Sequence, residues 1–263
     1  MPIVTVTTDY GTHDHYAGAL KGVILGIAPT AQIVDITHDI EPHNVLHGAF
    51  VLRYVLECFP AGTIHVVVVD PGVGTVRGVL AGRFAGRYVI APDNGLITLV
   101  YREVAAEAIH VVEEDRFFLP RVSATFHGRD ILAPVAGHLA NGVDVGSFGR
   151  PIKAPKLLST SLRAENKGKS IAGAVLHVDR FGTLITNIGA DDIESLSAGS
   201  PKGTCGVFVN GARIGPIRGT FADVAVGEAV AVVGGCDLLE IAVNQGKASE
   251  RFGPVDRIRI EVR

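Results

Sequence analysis

Cysteine is scarce in this 263-residue sequence, which contains only 3. An odd number of cysteines at unrelated spacings does not form a disulfide framework, and no paired C-x-x-C motifs are present to hold zinc. The sequence therefore favours a reducing compartment, and we expect a cytoplasmic protein. The three residues are Cys58, Cys205 and Cys236.

Long apolar runs and an excess of one charge are also missing. No stretch approaches the ~20 apolar residues of a membrane span, and the first residues lack the basic and apolar regions of a signal peptide. The 24 Lys and Arg residues nearly balance the 27 Asp and Glu residues, so the formal net charge is only −3. We therefore expect a small-molecule substrate rather than nucleic acid or a membrane as the partner.

Several motifs that identify enzyme classes are absent. The chain has no Walker A loop, no G-x-G-x-x-G fingerprint and no H-E-x-x-H pair, so a bound nucleotide cofactor and a zincin site are unsupported. The absence of G-x-S-x-G weakens a serine-hydrolase interpretation. We expect no cofactor and no metal.

Strand and helix patterns alternate in the first half of the chain. Such βαβ alternation predicts an α/β domain with a doubly wound, mostly parallel sheet. The nearly unbroken Val/Ile run over Thr63–Val69 is typical of a central parallel strand that is buried on both faces. The other predicted strands are Ile3–Thr8, Gln32–Thr37, Arg87–Ala91 and Ile109–Val112, and the predicted helices are Tyr16–Ile27, Asn44–Cys58 and Ile131–Ala140.

The pattern changes after the first half, which predicts a second, smaller domain. We assign residues 1–150 to the α/β domain, residues 151–169 to a linker and residues 170–263 to an antiparallel β-barrel. Asn210-Gly211 between two apolar runs predicts a hairpin turn. The predicted strands are Ala174–Val178, Leu184–Ile188, Gly206–Val209, Ala229–Val233, Leu238–Val243 and Ile258–Val262.

Three functional side-chain types are predicted to meet at one edge of the first sheet. Asp9 and Asp70 each follow a predicted strand, Arg77 lies just beyond Asp70, and His127 stands at a predicted helix start. Ligands bind at the carboxyl edge of the strands in such sheets. Each residue alone also has a structural interpretation, because aspartates form turns and charged groups favour helix ends. Their convergence is the argument for a site.

A metal site is an alternative interpretation. His43 and His47 are four residues apart on a predicted helix, and His38 lies just before it, so the three could hold a metal ion. The same residues also fit a solvated helix entry. Histidine pairs at this spacing frequently occur without a metal.

Six motifs, in the same order, resemble the S-adenosyl-L-methionine (SAM) hydroxide adenosyltransferase family, whose relatives are the fluorinases and chlorinases. The similarity extends from Ile3 to about Val243, which is nearly the whole chain. The motifs are Thr8-Asp9-Tyr10-Gly11, Val34-Asp35-Ile36-Thr37-His38, Val69-Asp70-Pro71-Gly72-Val73-Gly74, Ala91-Pro92-Asp93-Asn94-Gly95-Leu96, Thr125-Phe126-His127-Gly128-Arg129-Asp130 and Val178-Asp179-Arg180-Phe181-Gly182.

The resemblance implies a homotrimer that cleaves SAM to adenosine and L-methionine, with no cofactor. It implies that the substrate lies between the N-terminal domain of one subunit and the C-terminal β-barrel of its neighbour. The resemblance further implies a role for each matched residue. These are Asp70, Arg77 and His127 for water activation, Asp9 for the ribose, Asp179 for the methionine amino group and Phe181 for the adenine.

The sequence also departs from the resembled pattern. Thr183 stands where the family has an asparagine that helps to recognise adenine, and Gly235-Cys236-Asp237 differs from a Ser-and-Gly pattern. The halogenases have Tyr at the position of Asp70 and Ser at that of Gly128, so water is favoured over halide as the nucleophile. The remaining alternatives are a SAM- or adenosine-binding protein without turnover and a metal-dependent hydrolase built on His38, His43 and His47.

Overall fold

A computed structural model describes residues 1–158, 163–198, 205–254 and 260–263. The chain divides into two compact units, Met1–Ser159 (unit 1) and Thr160–Arg263 (unit 2). Residues 159–162 of the predicted linker lie outside the described residues, as do residues 258 and 259 of the last predicted strand. Among the helices that the structure describes, none has the length and apolar character needed to cross a membrane.

Unit 1 is built on a six-stranded sheet. Its strands are β1 (Ile3–Thr8), β2 (Gln32–Thr37), β3 (Ile64–Val68), β4 (Val79–Phe84), β5 (Arg87–Pro92) and β6 (Ala106–Val111). They lie in the order β2-β1-β3-β5-β4-β6. The first four in this order are parallel, and β4 is antiparallel to both of its neighbours. The predicted mostly parallel sheet is therefore confirmed, with an added β4–β5 hairpin.

Helices cover both faces of this sheet. They are α1 (Tyr16–Ile27), α2 (Val45–Leu56), α3 (Thr98–Glu103) and α4 (Ala133–Ala140). Leu20 of α1 and Val135 of α4 share one hydrophobic cluster with Val66 of β3. The next residue of β3, Val67, belongs to a second cluster with Leu52 of α2. Because successive strand side chains point to opposite faces, β3 is buried from both sides, as its apolar run predicts.

The segment after residue 148 lies along the edge of unit 1. It supplies hydrogen bonds to strand β6, to the turn after β5 and to α3, so residues 151–158 of the predicted linker pack as part of this unit. The bonds are Val111 N–H to Arg150 O, Ile152 N–H to Ile109 O, Tyr101 O–H to Lys153 O, Lys156 N–H to Asp93 Oδ1 and Leu158 N–H to Thr98 Oγ1.

Unit 2 contains a nine-stranded sheet. The strands are β7 (Glu165–Asn166), β8 (Ile171–Gly173), β9 (Val175–Val178), β10 (Leu184–Gly189), β11 (Gly206–Val209), β12 (Ala212–Arg218), β13 (Ala229–Val233), β14 (Leu238–Val243) and β15 (Ile260–Val262). Their order is β7-β8-β15-β11-β12-β13-β14-β10-β9. All pairs are antiparallel except β12–β13, which is parallel.

Two details of unit 2 test the sequence patterns. The Asn210-Gly211 hairpin is confirmed, because both residues have positive φ (51° and 83°) and join antiparallel β11 and β12. The prediction for residues 170–263 named strands only, but the structure also contains α5 (Ala190–Ser197) and α6 (Ala248–Phe252). Both are short, and each fully buries a single residue, Ile193 or Ala248, so the apolar pattern of each covers too few turns to predict a helix.

Candidate active site

The predicted sheet edge carries a pocket of about 260 Å³. Strands β1 and β3 are parallel neighbours, so the residues that follow them, Asp9 and Asp70, lie at the same edge. His127 reaches the same pocket from the segment before α4. The lining residues are Asp9, Tyr10, Tyr16, Pro42, His43, Val68, Asp70, Val73, Thr125, His127 and Gly128.

Asp70, Arg77 and His127 are joined by hydrogen bonds. Arg77 Nε donates to Asp70 Oδ1 at 2.9 Å, and Arg77 Nη2 donates to Asp70 Oδ2, which makes the ion pair bidentate. The same Nη2 lies 3.0 Å from His127 Nδ1. The side chains of Arg77 and Asp70 are only 8% and 6% exposed. The pair is therefore largely removed from water, where charge-assisted hydrogen bonds are strongest.

The contact with Arg77 fixes the protonation of His127. A guanidinium has only donors, so Nδ1 of His127 must accept, and the single ring proton is on Nε2. The ring also hydrogen-bonds to the backbone of Ser123. Burial first, and the positive charge of Arg77 second, lower the pKa of His127 below its ordinary value. His127 is thus a neutral acceptor that holds the guanidinium in place.

A buried carboxylate anchors the loop that carries His127. Asp130 lies in a π-helical turn, Gly128–Leu132, and accepts hydrogen bonds from the N–H and the hydroxyl of Ser123 at 2.8 and 2.7 Å. Arg129 Nε donates to it at 2.6 Å. Burial raises the pKa of Asp130, but these hydrogen bonds outweigh burial and hold the pKa below its usual range. The ionised carboxylate of Asp130 therefore stabilises the loop that carries His127.

Asp9 lies in the same pocket but is held separately. Its Oδ2 accepts a hydrogen bond from the backbone N–H of His43 at 3.0 Å, and His43 has a positive φ of 67°. Within the described residues, no donor is paired with Oδ1 of Asp9. One carboxylate oxygen is thus available to a ligand.

The three histidines of the metal alternative have separate surroundings. His38 Nδ1 is 2.8 Å from the hydroxyl of Thr8, and its Nε2 is 3.2 Å from Asp35. His43 contacts Asp9 through its backbone, and His47 Nδ1 accepts a backbone N–H. In the part of the chain that the structure describes, no three His, Cys, Asp or Glu side chains are grouped so as to hold a metal ion. The geometry does not support a three-histidine site.

Tyr10 is a pocket residue to which the sequence analysis assigned no role. Its ring packs edge-on against Phe126, with centroids 5.8 Å apart, and lies 5.9 Å from the ring of Tyr16. Burial first, and the charges of Asp9 and Asp70 next, raise the pKa of its hydroxyl. The available signal was its position directly after Asp9, in the loop that leaves β1.

The other predicted binding residues lie together in unit 2. Asp179, Phe181 and Thr183 line a pocket of about 680 Å³. Asp179 Oδ1 accepts the backbone N–H groups of Phe181 and Thr183 at 2.9 and 2.8 Å, which fixes this turn, and Phe181 is 77% exposed. Glu240 lines the same pocket, and burial first and the charge of Asp179 second raise its pKa.

Known proteins match this chain over both units. Family models for the SAM hydroxide adenosyltransferase N-terminal and C-terminal domains match residues 4–149 and 173–257. An (R)-S-adenosyl-L-methionine hydrolase of Thermus thermophilus is 36% identical, and the alignment covers 94% of this chain and 93% of the relative. An (R)-S-adenosyl-L-methionine hydrolase of Salinispora tropica is also 36% identical, and the alignment covers 98% of this chain and 97% of the relative.

More distant relatives and a solved structure agree with these matches. A fluorinase of Nocardia brasiliensis is 29% identical, and the alignment covers 100% of this chain and 97% of the fluorinase. The crystal structure of an uncharacterized conserved protein from Thermotoga maritima superimposes with a TM-score of 0.88 at 35% identity, covering 100% of this chain and 99% of that one. The chain belongs to the SAM hydroxide adenosyltransferase family.

Proposed function

We propose that this protein hydrolyses SAM to adenosine and L-methionine by attack of water at C5′ of the adenosyl group. The hydrogen-bonded set of Asp70, Arg77 and His127 beside the pocket of unit 1 carries this proposal. Membership in a family whose relatives are named (R)-S-adenosyl-L-methionine hydrolases supports it.

The reaction makes one bond and breaks one. The water oxygen bonds to C5′ as the C5′–S bond breaks, and the bonding pair moves to sulfur. The sulfonium becomes the neutral thioether of methionine, and the water loses one proton overall. Because the leaving sulfur needs no proton, the task of the site is to supply and orient a good nucleophile.

Asp70 and Arg77 are suited to prepare the water. The cationic guanidinium favours the ionised form of a nearby water, as positive charge does for any acid. A carboxylate oxygen has spare lone pairs, so Asp70 can accept a hydrogen bond from water while it still binds Arg77. The water proton leaves toward this carboxylate.

His127 takes a positioning role in this mechanism. The resemblance stated above implies a part in water activation for His127. The hydrogen bond from Arg77 occupies Nδ1, and a protonated ring would place a second cation next to the guanidinium. The neutral ring of His127 therefore orients the guanidinium of Arg77 toward the water. The proton that the water releases does not pass through His127.

The remaining site residues fit the parts of SAM. Oδ1 of Asp9, which has no donor among the described residues, can accept from the ribose hydroxyls. The carboxylate of Asp179, with Glu240 in the same pocket, suits the methionine ammonium group. The exposed ring of Phe181 can stack on adenine, and Thr183 supplies a hydroxyl beside it.

We propose the larger organisation on the resemblance stated above. Residues 1–150, extended by the packed segment 151–158, form the α/β domain, residues 170–263 form a β-barrel, and the protein is a cytoplasmic homotrimer. Each active site combines the pocket of unit 1 with the pocket of unit 2 from a neighbouring subunit. Mass measurement in solution tests the trimer, and a monomer at assay concentrations would contradict it.

Incubation with SAM, followed by chromatography, tests the function. We expect adenosine and methionine in equal amounts, no 5′-halogenated nucleoside when chloride or fluoride is added, and unchanged activity after exhaustive chelation. A protein that binds SAM in calorimetry but releases no adenosine would instead be a binding module. Loss of activity on chelation, restored by a divalent metal, would support a metal-dependent hydrolase.

The pH profile of kcat/KM should fall at acid pH, and protonation of His127 should cause this fall. Its ring accepts from Arg77 only while neutral, so protonation removes the contact. Because burial and Arg77 lower its pKa below 6.5, we expect kcat/KM to stay level at neutral pH and to fall only on the acid side of 6.5. His127→Asn keeps an acceptor that does not titrate, so this fall should disappear. A fall that persists in the variant would assign the titration to another group.

A further inference from the structure

The backbone and the ring of Tyr10 are held in place by the residues around them. The backbone N–H of Tyr10 donates to the hydroxyl of Thr8 at 3.2 Å, and Thr8 is itself bonded to His38. The ring is held against Phe126 and Tyr16. Tyr10 lines the same pocket as Asp70 and His127, and among the described residues none forms a hydrogen bond with its phenol oxygen.

Gly128 provides the space for this hydroxyl. A Cβ atom at position 128 would fall inside van der Waals contact distance of the Tyr10 phenol oxygen. The same atom would be 3.5 Å from Tyr10 Cζ and 3.3 Å from Val68 Cγ1. The first distance is an ordinary contact, and the second requires only a small adjustment. The phenol oxygen is therefore the one atom that would have to shift if a side chain were added at this position.

The charges around Tyr10 keep its hydroxyl protonated. Burial, Asp9 and Asp70 all raise its pKa and so disfavour a phenolate, and the opposing effect of Arg77 is smaller. The group can therefore donate a hydrogen bond into the pocket at any physiological pH. It does not act as a base, and it keeps its proton throughout the reaction.

We propose that the Tyr10 hydroxyl donates a hydrogen bond to the nucleophilic water, and that Gly128 is required because it leaves room for that hydroxyl. This inference rests on the proposed hydrolysis. The water then has a donor in Tyr10 and an acceptor in Asp70, which fixes its orientation as negative charge develops on its oxygen. A donor aimed at developing charge stabilises the transition state more than the bound substrate.

Tyr10→Phe removes only the hydroxyl and tests this role. We expect kcat to fall about tenfold, the effect of one hydrogen bond to a partly charged group. KM for SAM should stay within about twofold, and the melting temperature should not change, because no hydrogen bond between described residues is lost. The matched control is Tyr88→Phe, at the start of β5 and paired with Ile64 at the opposite end of the sheet, which should leave kcat unchanged.

A double-mutant cycle with Gly128 tests the steric half of the proposal. Gly128→Ala should lower kcat at least as much as Tyr10→Phe, because the added methyl displaces the phenol oxygen. The double variant Tyr10→Phe/Gly128→Ala should be no slower than Tyr10→Phe alone, since the phenyl ring leaves room for the methyl. If the loss of kcat in the double variant instead equals the product of the two single losses, the two residues act independently, and the proposed pairing of Tyr10 with Gly128 is overturned.

The outcomes separate this inference from the proposed function. A wild-type protein that does not hydrolyse SAM would refute the function, and this proposal with it. An active wild type with a fully active Tyr10→Phe variant would refute only the role of Tyr10. A fall in the melting temperature of Tyr10→Phe that matches its loss of activity would assign Tyr10 a structural role instead.

Discussion

The Arg77→Ala variant is expected to hydrolyse SAM at least about 10²-fold more slowly than the wild type. The substitution removes the cation that favours ionised water, and it releases His127 from its hydrogen bond. It also leaves the carboxylate of Asp70 buried without its partner. Breaking a buried ion pair in this way typically costs about 3–5 kcal/mol, so we expect a lower unfolding free energy as well. Steady-state kinetics and urea unfolding measure the two effects.

Two further variants make this result specific. Arg77→Lys keeps the charge but cannot form the bidentate contact, so its activity should lie between those of the wild type and the alanine variant. Arg83→Ala removes an exposed arginine that pairs with Glu107, where both side chains are more than 40% exposed. It should change stability by less than about 1 kcal/mol and leave kcat unaltered. Near-normal turnover of Arg77→Ala would refute the proposed site.

Gly74→Ala should disable the site by separating its two loops. Gly74 has a φ of 77°, and a Cβ there would overlap the carbonyl oxygen of Ala124 and lie 3.2 Å from its carbon. The loop that carries Asp70 and Arg77 would have to move away from the loop that carries His127. We expect kcat to fall by about 10²-fold or more, because small misplacements of catalytic groups have effects of this size.

The control for this variant is Gly62→Ala. Gly62 also has a positive φ, 85°, and it precedes β3 at the other end of the sheet. In the described part of the chain, no atom beyond its two neighbours lies within 4 Å of the place that an added methyl group would occupy. The variant should lose roughly 1 kcal/mol of stability from backbone strain alone and keep its kcat. If Gly74→Ala were as active as Gly62→Ala, the contact between the two loops would not matter for catalysis.

The sequence allowed the sheet edge to be predicted well. Runs of apolar, β-branched residues placed β1 and β3 correctly, and parallel strands bring their carboxyl ends together, so Asp9 and Asp70 could be assigned to one edge. The predicted meeting of Asp70, Arg77 and His127 is present in the structure. Their roles stay predictions until variants are measured.

What could not be predicted depends on contacts between distant segments. The overlap of Tyr10 with a side chain at position 128, and the contact of Gly74 with Ala124, join residues far apart in the chain. The protonation of His127 follows from the donor it faces, which no local pattern encodes. Helix α5 was missed for a different reason, because its apolar residues Ile193 and Leu196 form a pattern of only two turns.

The segment that follows residue 148 has a practical consequence for dissecting the protein. It covers strand β6, the last strand of its sheet, by hydrogen-bonding to Val111 and Ile109. A gene fragment that stops at residue 150 would uncover part of that edge, and unpaired edges promote association between chains. Expression of the first unit by itself should therefore end at or after residue 158, where the chain has made its last bond to Thr98.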